Sequence, residues 1–207
     1  DRYNDSLLWT GTGSGLLDYN KVSGNFRRYL YPGGAGDAIH SNSIKNLYQH
    51  NDGALYCGTF NFGLFRFDPA SGAFRPFPIT GVTKYLDNWR NVFHIAFKSP
   101  QELWVTTYGG LAVLNTETHT FSIVAENDPA NDRYWGVKYA DEAGRRWNWH
   151  RGKLILFNDL YQQFQNFRCP ESVSERDFIV RKIAADTSSG LLYLAAQLGD
   201  GLYILDR

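Results

Sequence analysis

LWTGTGSGLLDYNKVSGNFRRY (8–29), LYCGTFNFGLFRFDPASGAFRPF (55–77) and LWVTTYGGLAVLNTETHTFSIV (103–124) are three copies of one pattern. Two looser copies follow, RRWNWH (145–150) with KLILFN (153–158), and LLYLAA (191–196) with GLYILD (201–206). An aromatic recurs at Trp9, Tyr56, Trp104, Trp147 and Tyr193, spaced 47, 48, 43 and 46 residues. A glycine column (Gly15, Gly63, Gly110, Gly201) is broken by Lys153, and leucine fills the next column at 16, 64, 111, 154 and 202. Each segment closes on Asn20, Asp68, Asn115, Asn158 or Asp206, and Phe26, Phe74, Phe121 and Phe164 form a fourth column. Four independent columns with one period identify an internal repeat.

Each period divides into four short runs of strand composition. In the second repeat they are Ser43–His50, Ala54–Thr59, Gly63–Asp68 and Phe74–Phe77, with turn signals at Asn51-Asp52-Gly53 and Pro69-Ala70-Ser71-Gly72. A period near 45 residues with four strands predicts an all-β fold, a β-propeller of four-stranded antiparallel blades. One blade cannot bury both faces of its sheet, so blades stack and the aromatic and leucine columns fill the gaps. The repeats run approximately over 1–29, 43–77, 92–124, 134–167 and 179–207. The first begins at its second strand and the last stops after its third. The expectation is three complete blades between two partial ones, about 18 strands, cut from a larger propeller. No helical period is visible.

Composition narrows the function classes. Apolar residues make up 43%, charged residues 20%, and the net charge is zero, which excludes a disordered chain and argues against nucleic acid as partner. The longest strongly apolar stretch, Leu191–Ala196, is far short of a membrane span. Aromatics reach 16%, as suits strands. Cys57 and Cys169 lack metal spacing and are either buried thiols or a disulfide. The histidines at 40, 50, 94, 119 and 150 show no ligand spacing, so neither a zinc site nor a cofactor is expected.

The pattern Leu-Trp-x-Gly-Thr, then Gly-Leu-x-x-hydrophobic-Asp/Asn, then Gly-x-Phe resembles the two-component regulator propeller repeat, over nearly the whole chain. The resemblance implies a non-catalytic segment from the periplasmic sensor region of a hybrid histidine kinase, with an oligosaccharide or other small polar ligand. It implies no nucleic acid and no direct membrane contact, with further blades or a homodimer as protein partners. Kinase, receiver and DNA-binding segments would lie elsewhere.

Strand order indicates where a site belongs. In an antiparallel blade the second-to-third turn and the connection to the next blade share one rim. The third-to-fourth loops on the other rim are always five residues (21–25, 69–73, 116–120, 159–163), whereas the connections are longer and irregular (about 30–43, 78–91, 125–133, 168–178). Long variable loops carry binding residues more often than constant turns. The candidates on that rim are Asn61, Trp89, Arg90, Tyr108, Trp135, His150 and Arg151, with Asn91 and Trp149 beside them. Aromatic faces beside Arg, Asn and His donors suit a sugar, and equally a protein interface. The once-per-blade Asn/Asp set reads instead as turn initiation, the Trp column as core, and His94 as a hydrogen-bonded structural residue. Gly11-Thr12-Gly13-Ser14-Gly15 reads as a hairpin turn, because no helix or Lys-Ser/Thr follows it. A glycosidase would need two carboxylates flanking the bond. Asp87, Glu126, Asp128, Asp132, Glu171, Glu175 and Asp177 are available, but no motif singles out a pair.

Overall fold

A computed structural model describes residues 6–31, 42–82, 86–127, 137, 139–140, 146–150, 153–157, 163–168, 180–186, 188–196 and 201–206. Eighteen strands in five antiparallel sheets lie within these residues. The chain divides into two compact units, residues 1–135 and 136–207.

In the first unit, sheet 1 is β1 (Leu7–Thr12), β2 (Gly15–Asn20) and β3 (Phe26–Tyr29). Sheet 2 is β4 (Ile44–Gln49), β5 (Leu55–Thr59), β6 (Leu64–Asp68) and β7 (Ala73–Phe77). Sheet 3 is β8 (Val92–Ser99), β9 (Glu102–Thr107), β10 (Gly110–Asn115) and β11 (Phe121–Glu126). The second unit holds β12 (Tyr139–Ala140), β13 (Arg146–His150), β14 (Lys153–Phe157) and β15 (Gln163–Arg168) in sheet 4. Its sheet 5 is β16 (Val180–Ala185), β17 (Leu191–Ala196) and β18 (Leu202–Asp206). The strands of the second repeat fall within one residue of their expected bounds, and the partial sheets are the first and the last. One element departs from the expectation. The connection after β7 contains a single helical turn, α1 (Leu86–Trp89). Four residues are too few to impose a hydrophobic period on a sequence, so this turn left no signal.

The aromatic column keeps one register in all five sheets. Across the strand pair, Trp9 faces Asp18, Tyr56 faces Arg66, Trp104 faces Val113, Trp147 faces Leu156 and Tyr193 faces Ile204. Tyr56, Trp104 and Trp147 are buried, while Trp9 and Tyr193, in the three-stranded sheets, are half-buried. Alternation along β5 shows how stacking uses both faces of a sheet. Leu55 and Cys57 join Leu16, Phe65 and Phe67 between sheets 1 and 2. Tyr56, between them in sequence, joins Leu64, Val92, Leu103 and Leu114 between sheets 2 and 3. All five residues of β5 are therefore buried. Cys57 is a free thiol whose pKa is pushed up by complete burial, so it is inert; Cys169 lies outside the described residues.

The constant five-residue turns are built alike. Asn20 Oδ1 accepts from the backbone N–H of Val22 and Ser23, Asp68 Oδ1 from Ala70, and Asn115 Oδ1 from Glu117 and Thr118. The fourth residue after each then turns left-handed, as Gly24 (φ 74°), Gly72 (72°) and His119 (61°). These Asn and Asp side chains are turn initiators; Asn158 lies outside the described residues. Gly110, in the other glycine column, has φ 147°, and a Cβ there would lie 2.1 Å from the Ala125 carbonyl oxygen.

Candidate functional site

The rim chosen from strand order is a continuous hydrogen-bonded structure in the first unit. In the three sheets of this unit a threonine ends β1, β5 and β9 and donates to the glycine carbonyl across the turn. Thr12 reaches Gly15 at 2.8 Å, Thr59 reaches Gly63 at 2.8 Å, and Thr107 reaches Gly110 at 3.2 Å. The connection through α1 is clasped between two such turns. From sheet 2, the N–H of Gly63 donates to the Arg90 carbonyl at 2.7 Å, and the N–H of Asn61 to Asn91 Oδ1 at 3.1 Å. From sheet 3, the N–H groups of Tyr108 and Gly109 donate to the carbonyls of Asn91 and Asn88. Asn91 Nδ2 donates to the Asp87 carbonyl, which closes the helical turn. Asn127 follows β11 and holds the outer side, donating through Nδ2 to the Tyr108 carbonyl at 2.9 Å.

This scaffold sorts the candidates. Asn61 sits at φ 70° and is exposed, a left-handed conformation that Asn tolerates better than most residues. Arg90 is exposed and lies 3.6 Å from the more exposed Asp87 carboxylate. Tyr108 is 55% exposed, with its ring 4.9 Å from that of Phe93. Trp89 is different. It is 2% exposed, and its ring covers Gly109 so closely that a Cβ there would lie 2.5 Å from it. Its faces are enclosed, so it anchors the loop rather than offering a stacking platform. His150 ends β13 opposite Lys153, whereas Trp135 and Arg151 lie outside the described residues.

Three residues absent from the sequence candidates belong to the same rim. Phe60 is 41% exposed, and Lys45 Nζ lies 5.8 Å from its ring centroid. Phe93 completes the pair with Tyr108. Two histidines have structural settings: His94 Nδ1 is 3.4 Å from Asn46 Nδ2, and His50 Nε2 is 3.0 Å from the Pro100 carbonyl. Among the described residues no three His, Cys, Asp or Glu side chains gather as metal ligands, and no helix is long and apolar enough to cross a membrane. The rim therefore presents aromatic rings, amide groups and cations on a hydrogen-bonded backbone.

The fold is similar to that of the extracellular domain of a hybrid two-component system from B. thetaiotaomicron. The TM-score is 0.71 and the identity 20%, over 98% of this chain and 26% of that one. Virginiamycin B lyase from Staphylococcus aureus is similar at TM-score 0.64 and 12% identity, over 99% of this chain and 67% of that one. The β-propeller domain of Cps50 (Swd1) from Myceliophteria thermophila gives 0.60 and 13%, over 93% and 59%. No family model and no curated protein matches the sequence. The chain spans about a quarter of the length of the two-component domain. These likenesses, with five antiparallel sheets in one repeating register, make the chain a set of β-propeller blades.

Proposed function

We propose that this chain is a non-catalytic ligand-binding segment of a periplasmic sensor, and that the rim around α1 takes an oligosaccharide or a related polar ligand. One observation carries the reading. Two turns from different sheets and one connecting loop are locked together by hydrogen bonds, and Asn61, Arg90 and Tyr108 are among the side chains this lock leaves exposed. A preorganised set of one ring, one amide and one guanidinium loses little entropy on meeting a sugar. The likeness to an extracellular two-component domain supports the location and the signalling role. The lyase among the fold's neighbours keeps catalysis as the rival.

Titration calorimetry across a glycan panel tests the proposal. Tyr108→Ala and Arg90→Ala should each weaken binding about tenfold or more, with no new reducing ends released from any glycan. Undiminished affinity in both variants would remove the site from this rim, and new reducing ends would replace binding with catalysis.

A second reading, an assembly scaffold, rests on a separate feature. Leu8, Tyr19 and Phe26 form one cross-strand row on sheet 1, with Leu8 50% and Phe26 69% exposed. The equivalent row in sheet 2, Leu55, Phe67 and Phe74, packs against sheet 1. The occupant that fits the open row is therefore another sheet of this repeat. A further blade or a second copy offers one; a second copy does so through Leu202 and Ile204, exposed in β18 at positions equivalent to those through which sheet 1 meets sheet 2.

A further inference from the structure

The first strand of a blade carries a register defect that recurs. Pairing of β4 with β5 steps from Ile44↔Thr59 to Asn46↔Gly58, which leaves Lys45 as an extra residue. Pairing of β8 with β9 steps from Val92↔Thr107 to His94↔Thr106, which leaves Phe93. Pairing of β16 with β17 steps from Val180↔Ala196 to Lys182↔Ala195, which leaves Arg181. These are one-residue bulges at one position of the repeat, beside the turn that follows the threonine column. A bulge bends its strand and re-aims a side chain, and bulges concentrate near binding sites. The residues before the bulge, Ile44, Val92 and Val180, are all apolar and buried. The bulged residues differ in kind, being Lys, Phe and Arg. Constant geometry with variable chemistry is the mark of a display position.

The two bulges of the first unit each meet the residue after the threonine column. Lys45 lies over Phe60, and Phe93 packs against Tyr108. Both partners are about half exposed. Their electrostatics differ from that of Arg90. A ring attracts an ammonium without neutralising it, whereas Asp87 lies 3.6 Å from the Arg90 guanidinium and offsets its charge. Lys45 is thus the better partner for an anion.

We propose that Lys45 with Phe60, and Phe93 with Tyr108, are two neighbouring ligand stations presented by bulges, and that the ligand is an acidic oligosaccharide. A carboxylate meets Lys45, and a pyranose face lies on the Phe93 and Tyr108 pair. The proposal rests on the rim-binding reading above and narrows its ligand class.

Oligosaccharides of uronic acids, each compared with its methyl ester, serve as probes in calorimetry on the intact chain, with thermal melts confirming that each variant folds. The acid should bind more tightly than the ester and weaken as salt rises. Lys45→Gln should lower affinity for the acid about tenfold, leave the ester unchanged, and be largely restored in Lys45→Arg. Phe93→Ala should weaken acid and ester alike. If Lys45→Gln and Phe93→Ala bind as the parent does while Arg90→Ala is weakened, the stations are overturned and the rim reading stands. Equal binding of acid and ester overturns the acidic class. Binding of neither, by folded protein, overturns the acidic class and the stations, while binding of another glycan from the panel that Arg90→Ala weakens keeps the rim reading.

Discussion

Trp104 is 1% exposed, and Lys98 lies over its ring at 5.4 Å. Truncation to alanine removes the largest enclosed side chain of sheet 3 and leaves a cavity, at a cost of about 3–5 kcal/mol. Urea denaturation should show that loss; a change under about 1 kcal/mol would mean the surroundings close the gap. A second prediction concerns acid. Asp186 accepts hydrogen bonds from Ser188 and Ser189, and these pull its carboxyl from 3.8 to about 2. Asp52 is also lowered: burial opposes its charge, but Arg66, the Ala54 N–H and His50 outweigh that. Both folded values lie below the unfolded ones. Their stabilisation is therefore complete above about pH 4 and is lost as pH falls through the folded values. Melting temperature should drop over that window, and Asp186→Asn should flatten the drop; an unchanged profile would contradict the Ser188 and Ser189 bonds. The core role of the Trp column could be read from its period. Trp89 stands outside any column, so nothing in the sequence distinguished a buried anchor from an exposed platform.

Turns and pairings set what each element tolerates. Gly72 and Gly110 both have positive φ, yet they should respond differently to alanine. At Gly72 an added Cβ has its nearest neighbour at 3.8 Å, on the Tyr29 ring, so only the left-handed backbone is penalised, by about 1 kcal/mol. At Gly110 the Cβ meets the Ala125 carbonyl at 2.1 Å, and β10 must part from β11 to admit it. Gly110→Ala should cost more than about 2 kcal/mol, and equal denaturation midpoints for the two variants would refute the close approach. The glycine column was legible because each turn is local. The bulges were not. Whether Lys45 pairs or bulges depends on how β4 aligns with β5, and the composition of either strand alone cannot set that.

Stacking is the organising force of the first unit, and it explains the open row on sheet 1. Cross-strand rows equivalent to Leu8, Tyr19 and Phe26 are core in sheets 2 and 3, as Leu55, Phe67, Phe74 and Leu103, Leu114, Phe121. If a second copy covers the open row, light scattering should show mass rising with concentration. Phe26→Glu and Ile204→Glu should each return a monomer, and an equimolar mixture of the two should stop at a dimer, since each variant keeps one good face. A single mass at all concentrations would leave the face without a second copy. The sequence by itself determined the blades: their number, their four-strand plan, their aromatic and glycine columns and their turn initiators. All of these are short-range or periodic, so each repeat restates them. Only the tertiary structure decided which rim side chains are offered. Trp89 is turned inward by a turn some twenty residues downstream, and Lys45 and Phe93 are aimed by pairing register. Availability to a ligand depends on packing between segments distant in sequence, and a repeat pattern carries no record of it.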